Sequence, residues 1–324
     1  MVRKSCFRTL LLIPILLGCH FLQLGAQDES MNLDSTSLGA GAYLMMDSIV
    51  ITAKRKGFDV ASFVDHILED ESFYVAFKNL RRNAYSFDMH TEFFDKKNKT
   101  KAEYFGTHIQ SIEDTCQTMA TEYEFVEGDY YKKKKEYNYY TSRLFKRSFL
   151  TQGRKCFSKA DTIMDFSAKN TSQLENQITQ LKKVIFSPGK ATGLPILGDK
   201  MAIFKEKMRT YYDYRLIVED YKSFGDCYAF KVDVKEKYKT KKKGKTVVKY
   251  MYTYFDQETL QIVGREYRVK HGLPLYSFDI TLDIVLTNIQ NAYIPKSIHI
   301  KGFWDLLFKK PEDFEAEFFF YGYR

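Results

Sequence analysis

The fold is decided by the stretch YSFDITLDIVLT, residues 276–287, in which apolar and polar side chains alternate. A period of two is typical of a β-strand with one buried face and one exposed face. One face carries only apolar residues, which are Tyr276, Phe278, Ile280, Leu282, Ile284 and Leu286. Because such a face must be covered, the sequence predicts a sheet with a second layer of structure against it.

Similar alternation extends outward in both directions and predicts an antiparallel meander, since short turns separate the segments. Before the stretch, predicted strands are the one beginning at Tyr85, then Ala102–Gln110, Thr118–Glu127, Tyr130–Thr141, Met208–Val218, Asp226–Val234, Val247–Phe255 and Leu260–Val269. The central one is extended to Leu275–Thr287, and after it come Tyr293–Trp304 and Phe314–Tyr323. The aromatic content of 16% supports a strand-rich chain, since tyrosine and phenylalanine favour strands.

Three segments show helical spacing instead. Val60–Leu68 and Ser72–Arg81 each present one apolar stripe, and Ser172–Phe186 presents a third. The segment after the third, residues 187–198, mixes glycine and proline with apolar side chains and predicts a surface loop or lid.

The amino terminus has the pattern of a secretory signal. Arg3, Lys4 and Arg8 precede an apolar run, and Ala26 marks a cleavage point before Gln27. The alternative is a lipoprotein signal in which Cys19 becomes the acylated first residue. We therefore expect a signal at 1–26, a flexible leader at 27–57 and a single domain at 58–324 with a helix and loop insertion at about 165–200.

Composition excludes several classes of protein. The formal net charge of +9 includes the three cations of the signal. The positive charge that remains without them is too small to indicate a nucleic-acid-binding protein. No later segment approaches the roughly 20 apolar residues of a spanning helix. Cys116, Cys156 and Cys227 permit at most one disulfide, or else serve as small buried residues.

Motifs for catalysis are not found in the sequence. There is no His-Glu-x-x-His zinc motif and no Gly-x-Ser-x-Gly nucleophile elbow. Asp279 and Asp283 share a strand face at roughly 13–14 Å, too far apart for a glycosidase pair. We expect no catalytic residues, no metal and no cofactor.

The segment Asp47-Ser48-Ile49-Val50-Ile51-Thr52-Ala53 resembles the TonB box of TonB-dependent receptors, which binds its partner by strand addition. The resemblance implies docking through Ile49, Val50 and Ile51. An edge strand is the alternative.

The order of helices and strands resembles the LolA-like carriers of the bacterial periplasm. Local matches are Gly128-Asp129-Tyr130-Tyr131, the hairpin from Tyr254 to Val263, and Ala292-Tyr293-Ile294-Pro295. In its general sequence pattern the chain also resembles exported Bacteroidetes proteins of unknown function. The resemblance implies an α+β fold in which a strongly curved antiparallel sheet, an open half-barrel, is covered by two or three helices.

The expected function is that of an exported, non-catalytic protein, periplasmic or peripheral to the outer membrane, which binds a lipid or lipidated partner in the concave face. The expected cavity and lid residues are Phe63, Ile67, Phe77, Leu194, Ile196, Leu197, Tyr250 and Tyr252. The alternative is a structural protein that docks to an envelope complex by strand addition or through its lysine-rich hairpin. The hairpin residues concerned are Lys241, Lys242 and Lys243.

Overall fold

The computed structural model describes the backbone of residues 44–46, 49–51, 72–156, 189, 198–241, 245–273, 276–290, 292–306 and 309–324. All of these residues belong to one compact unit, Leu38–Arg324.

In the described part of the chain, thirteen strands form one sheet. The first six are β1 (Leu44–Met46), β2 (Ile49–Ile51), β3 (Tyr85–Phe94), β4 (Thr100–Glu113), β5 (Cys116–Gly128) and β6 (Lys155–Cys156). The rest are β7 (Tyr212–Asp220), β8 (Asp226–Val234), β9 (Val248–Asp256), β10 (Ile262–Leu273), β11 (Tyr276–Ile289), β12 (Ala292–Leu306) and β13 (Glu312–Tyr321).

Helices are short by comparison. They are α1 (Ser72–Leu80), α2 (Tyr140–Phe149), α3 (Gly198–Met201), α4 (Glu206–Arg209) and α5 (Glu236–Lys241), with 3-10 turns at Lys133–Lys135 and Lys222–Phe224. The predicted helices Val60–Leu68 and Ser172–Phe186 lie outside the described residues.

The sheet is open and almost wholly antiparallel. Its strand order is β1-β2-β7-β8-β9-β10-β11-β12-β13-β3-β4-β5-β6, and the one parallel pairing among these strands joins β2 to β7. The predicted class, an α+β fold with an open curved sheet, is therefore confirmed. Strand β11 lies at the centre of this order and contains residues 276–287.

Burial along β11 follows the alternation. Phe278, Ile280, Leu282 and Ile284 are buried, whereas Ser277 and Asp279 are partly exposed. We call the face that bears Phe278 and Ile280 the helix face, because α1 packs on it, and the other face the polar face. Arg265 of β10 stacks on the Phe73 ring of α1 at 4.2 Å, and the Asn79 side chain donates to the Tyr293 carbonyl of β12 at 2.9 Å.

The predicted strand Tyr130–Thr141 is wrong. Only an isolated bridge joins Tyr131 to Tyr137, and Lys134 and Lys135 adopt positive φ angles between them. The segment then enters α2 at Tyr140. The many tyrosines of this segment are typical of a strand, but here they pack against the core. The Tyr130 ring, for example, stacks on the Tyr104 ring with 4.9 Å between the ring centroids.

A buried histidine lies on the helix face of β4. His108 is fully buried and hydrogen-bonds the Tyr104 hydroxyl at 3.2 Å and the Thr121 hydroxyl at 3.0 Å. Burial disfavours the charged imidazolium and lowers the pKa of His108 to about 4, partly opposed by the negative charge of Asp88.

We expect this histidine to make the fold acid-sensitive. Below pH 6.5 the His108 imidazole is protonated in the unfolded chain but stays neutral in the folded protein. The free energy of unfolding therefore falls as the pH drops from 6.5 towards 4, by about 3 kcal/mol in total. Urea unfolding of His108→Gln at pH 7 and pH 4.5 should show a smaller difference between the two pH values than wild type. Equal differences would contradict the assignment.

Candidate binding site

An open cavity of about 290 Å³ lies at the end of the sheet formed by β3, β4 and β5. Its apolar floor consists of Phe77 and Leu80 of α1, Tyr85 of β3 and Phe149 of α2. All four side chains are buried, and the most exposed of them, Phe149, has an exposed fraction of 8%. Polar residues of the wall come from β4, β5, α2 and the segment that follows α2, and they are Gln110, Gln117, Ser148, Thr151 and Gln152.

Gln110 fixes the floor. Its side-chain amide donates to the carbonyl oxygens of Leu80 at 2.9 Å and Asn83 at 2.8 Å, which satisfies backbone acceptors left over at the end of α1. Its carbonyl oxygen accepts a hydrogen bond from the Thr151 hydroxyl at 3.3 Å. One side chain therefore joins α1, β4 and the segment after α2 around the cavity.

Helix α2 is held by a carboxylate from the far end of the chain. Glu312 of β13 is 6% exposed and accepts hydrogen bonds from the backbone N–H groups of Tyr140 at 2.5 Å and Thr141 at 2.9 Å. The Thr141 hydroxyl donates to it at 2.6 Å and the Trp304 indole at 3.3 Å. Because a negative charge at a helix amino terminus satisfies orphan N–H groups and the helix dipole, Glu312 fixes α2, whose last turn lines the cavity.

A disulfide closes the rim. Cys116 of β5 is bonded to Cys156 of β6, while Cys227 is a buried free thiol. The two-residue strand β6 pairs Lys155 with Gln117, so the covalent bond holds Lys155 against the cavity wall. The disulfide left open by the sequence is thus formed by this pair.

The cavity carries positive charge. Arg81, Arg147 and Lys155 line it, and the described residues that line it include no aspartate or glutamate. The field of the two arginines reaches neighbouring phenols: burial raises the pKa of Tyr85 and Arg81 partly opposes this rise. Burial likewise raises the pKa of Tyr140, against the effect of Arg143 and Arg147. Arg81 and Arg147 each make a further interaction within the chain.

Gln117 presents a buried acceptor. The residue is 6% exposed, and its side-chain oxygen has no hydrogen-bond partner among the described residues. A buried polar atom without a partner costs free energy of about 1–3 kcal/mol. A ligand that donates a hydrogen bond to this oxygen would recover that cost.

The structure describes few of the predicted cavity and lid residues. Phe77 is buried and lines the cavity. The other helix-side and lid residues lie outside the described residues, and they are Phe63, Ile67, Leu194, Ile196 and Leu197.

Tyr250 and Tyr252 lie on the polar face, opposite Phe77. Val248 faces the core, but a register shift skips Lys249, so that Tyr250 pairs with Arg268 and Tyr252 with Glu266. The Tyr252 hydroxyl donates to Asp233 at 2.8 Å. These tyrosines therefore do not share the cavity with Phe77.

The predicted docking residues are only partly described. Ile49–Ile51 form β2, between β1 and β7, so their backbone already pairs on both sides and strand addition would require them to leave the sheet. Lys241 ends α5 in the connection from β8 to β9, and Lys242 and Lys243 lie outside the described residues. Docking through either segment stays a prediction.

Sequence reasoning missed Arg81, Arg147, Gln117 and Lys155. The only local signal was the closeness of Lys155 to Cys156, which becomes informative once Cys156 is paired with Cys116. Within the described part of the chain, no group of three His, Cys, Asp or Glu side chains could hold a metal ion. The helices described there are all too short or too polar to cross a membrane.

No known protein family and no curated protein matches the sequence. Several solved structures match the chain at low TM-scores, among them the three that follow. A LolA superfamily protein from Nitrosomonas europaea has 9% identity and a TM-score of 0.24, over 83% of this chain and 94% of that one. A DUF1329 family protein from Desulfovibrio piger has 10% identity and a TM-score of 0.25, over 82% and 92%.

The third is a domain from Vibrio parahaemolyticus named for outer membrane lipoprotein sorting, with 7% identity and a TM-score of 0.26 over 78% and 92%. The resemblance to LolA-like proteins noted in the sequence thus recurs among solved structures. At these TM-scores the likeness assigns no function.

Proposed function

We propose that this chain is an exported, non-catalytic envelope protein that binds a lipid or a lipidated partner in the cavity between α1, α2 and β3–β5. The observation that carries the proposal is the combination of a buried apolar floor with a charged, open mouth. A lipid has the same division, an apolar chain and a polar headgroup. The signal pattern at 1–26 and the Cys116–Cys156 disulfide support export, since disulfides persist in oxidising compartments.

The size of the cavity limits the ligand. Its volume lies at the lower end of the roughly 300–1,000 Å³ that is usual for small-molecule pockets. It suits part of one acyl chain rather than a complete diacyl lipid. Each methylene that the cavity buries contributes about 0.8 kcal/mol to binding.

Delipidated protein should take up a fluorescent fatty acid saturably, with one site per chain. Gln152→Trp places a large ring at the cavity wall and should weaken uptake by about tenfold or more. Arg154→Trp is the matched control, because Arg154 is exposed, lies two residues away and does not line the cavity. Its ion pair with Glu113, at 3.5 Å, is solvent-exposed and contributes little to stability.

Two results would count against the proposal. One is the absence of saturable uptake together with no lipid in native mass spectra of protein purified from its own envelope. The other is equal binding by the two tryptophan variants and wild type, which would place the lipid elsewhere.

A further inference from the structure

We infer that a second copy of this chain docks its lysine-rich connection on an aromatic and acidic surface of the polar face. That surface lies where β13, β3, β4 and β5 are neighbours in the sheet, whereas the lysine-rich connection joins β8 to β9. The inference goes beyond the proposed function, because none of the residues that carry it lines the cavity.

Aromatic side chains are exposed on this part of the sheet. Six large apolar side chains of the described residues are exposed, and five of them lie on β5, β12 and β13: Tyr123, Phe125, Phe303, Phe319 and Tyr321. Register places Phe319 and Tyr123 in one row across four strands. Phe125 pairs with Phe105 of β4, whose ring lies 6.0 Å from the Tyr123 ring between centroids. Exposed aromatic side chains grouped in this way are typical of an interface between proteins.

A row of glutamates runs beside these rings. We call it the glutamate row, and it takes one residue from each of four neighbouring strands, Glu315, Glu92, Glu103 and Glu127. Each member pairs directly with the next in register. Adjacent strands lie about 4.8 Å apart, so the row spans roughly 14 Å. Like charges directly opposite one another destabilise a sheet, and cations of a partner laid along the row would relieve that repulsion.

Cations of the same chain neutralise part of the glutamate row. Glu315 pairs with a histidine and a lysine of β12, each at 2.7 Å, and Glu103 pairs with a histidine of β3 at 2.8 Å. Glu92 accepts a hydrogen bond from the Thr100 hydroxyl at 3.1 Å. Among the described residues, no cation forms an ion pair with Glu92 or with Glu127, which is exposed. These two carboxylates are therefore the ones that a partner's cations would contact.

The complementary cations belong to the lysine-rich connection. Residues 235–245 contain seven lysines and one glutamate. Lys237 and Lys239 are exposed on α5. Their described contacts are local, since Lys237 lies over the Tyr238 ring at 5.0 Å and Lys239 forms an exposed pair with Glu236 at 2.8 Å. Such an exposed pair contributes little and leaves the lysine available to a partner.

The strand order favours contact between two copies. Three strands separate β9 from β13, so the lysine-rich connection and the glutamate row belong to different parts of the sheet. Opposite charges on separate surfaces of one chain allow the lysines of one copy to lie along the glutamates of the next. The lysine stems can then pack on the neighbouring aromatic rings, which attract the cations as well.

Sedimentation velocity of the intact protein over a concentration series tests the inference. We expect reversible association at about 0.01 M salt that is weakened by about tenfold or more at about 1 M salt, because the Debye length falls from about 30 Å to about 3 Å.

Charge reversal identifies the two sides of the contact. Glu92→Lys/Glu127→Lys and Lys237→Glu/Lys239→Glu should each weaken association by about tenfold or more, because like charges then meet. An equimolar mixture of the two variants should associate as wild type does. In the mixture the unchanged lysines of the first variant meet the unchanged glutamates of the second, and the reversed charges also match.

Glu113→Lys/Glu258→Lys is the matched control, since both residues are exposed, lie outside the glutamate row and give the same change in net charge. It should associate within about twofold of wild type. Thermal melts show that each variant is folded. Glu92→Lys/Glu127→Lys should melt no lower than wild type, because opposite charges replace like charges across the strands.

Two results would overturn the inference. One is a protein that stays monomeric throughout the series at both salt concentrations. The other is a mixture of the two charge-reversed variants that associates no better than either variant alone, which would show that these surfaces do not meet.

Discussion

Replacing both Cys116 and Cys156 with serine should lower the free energy of unfolding by about 4 kcal/mol, as expected for a cross-link that closes a loop of this length. The bond joins residues 40 apart in sequence and ties β6 to β5. Urea denaturation of the wild type and the double variant, each with and without reductant, measures the effect.

The double serine variant is its own control, since reductant should shift the wild-type midpoint and leave the variant unchanged. Lipid affinity should fall as well, because Lys155 loses its covalent link to the rim. Thiols can be counted in protein that is denatured without reductant. If Cys116, Cys156 and Cys227 all reacted as free thiols there, the pairing would be contradicted.

Glu312→Ala should destabilise the protein by about 3 kcal/mol. The substitution removes the cap of α2 and leaves Thr141 and the Trp304 indole without their acceptor in a buried site. Glu312→Gln retains one acceptor oxygen and should cost about half as much.

Glu317→Ala provides the comparison for the strand, because Glu317 lies on β13 but is exposed. It should change stability by less than about 0.5 kcal/mol. If Glu312→Ala behaved like Glu317→Ala in thermal and urea unfolding, the carboxylate would not be holding α2.

The sheet could be predicted because strand periodicity is local. Residues 277–284 alternate in burial as they do in the sequence, and the alternation stops at Val285, which is also buried. The strand Asp226–Val234 begins and ends where predicted. The prediction was wrong where contacts with residues distant in the sequence determine the local structure. Tyr130–Thr141 has the composition of a strand, yet α2 begins within it because Glu312, 172 residues from Tyr140, caps that helix.

The candidate site was harder to predict for the same reason. A register shift at Lys249 reverses the faces of Tyr250 and Tyr252, and no pattern in the sequence marks it. Arg81, Arg147 and Lys155 come together only through the packing of α1 and α2 and through the disulfide. Phe77 was predicted because one apolar stripe of a helix is enough to place it.

The central claim is that a lipid chain enters the cavity between α1 and α2. A fatty acid that carries a photoreactive group on its chain tests this claim most directly, with the labelled peptides identified by mass spectrometry. The account predicts saturable labelling within Phe77–Tyr85 and Arg147–Lys155, competed by unlabelled fatty acid and lost in Gln152→Trp. Labelling confined to the lysine-rich connection after β8 or to the tyrosines of the polar face would contradict it.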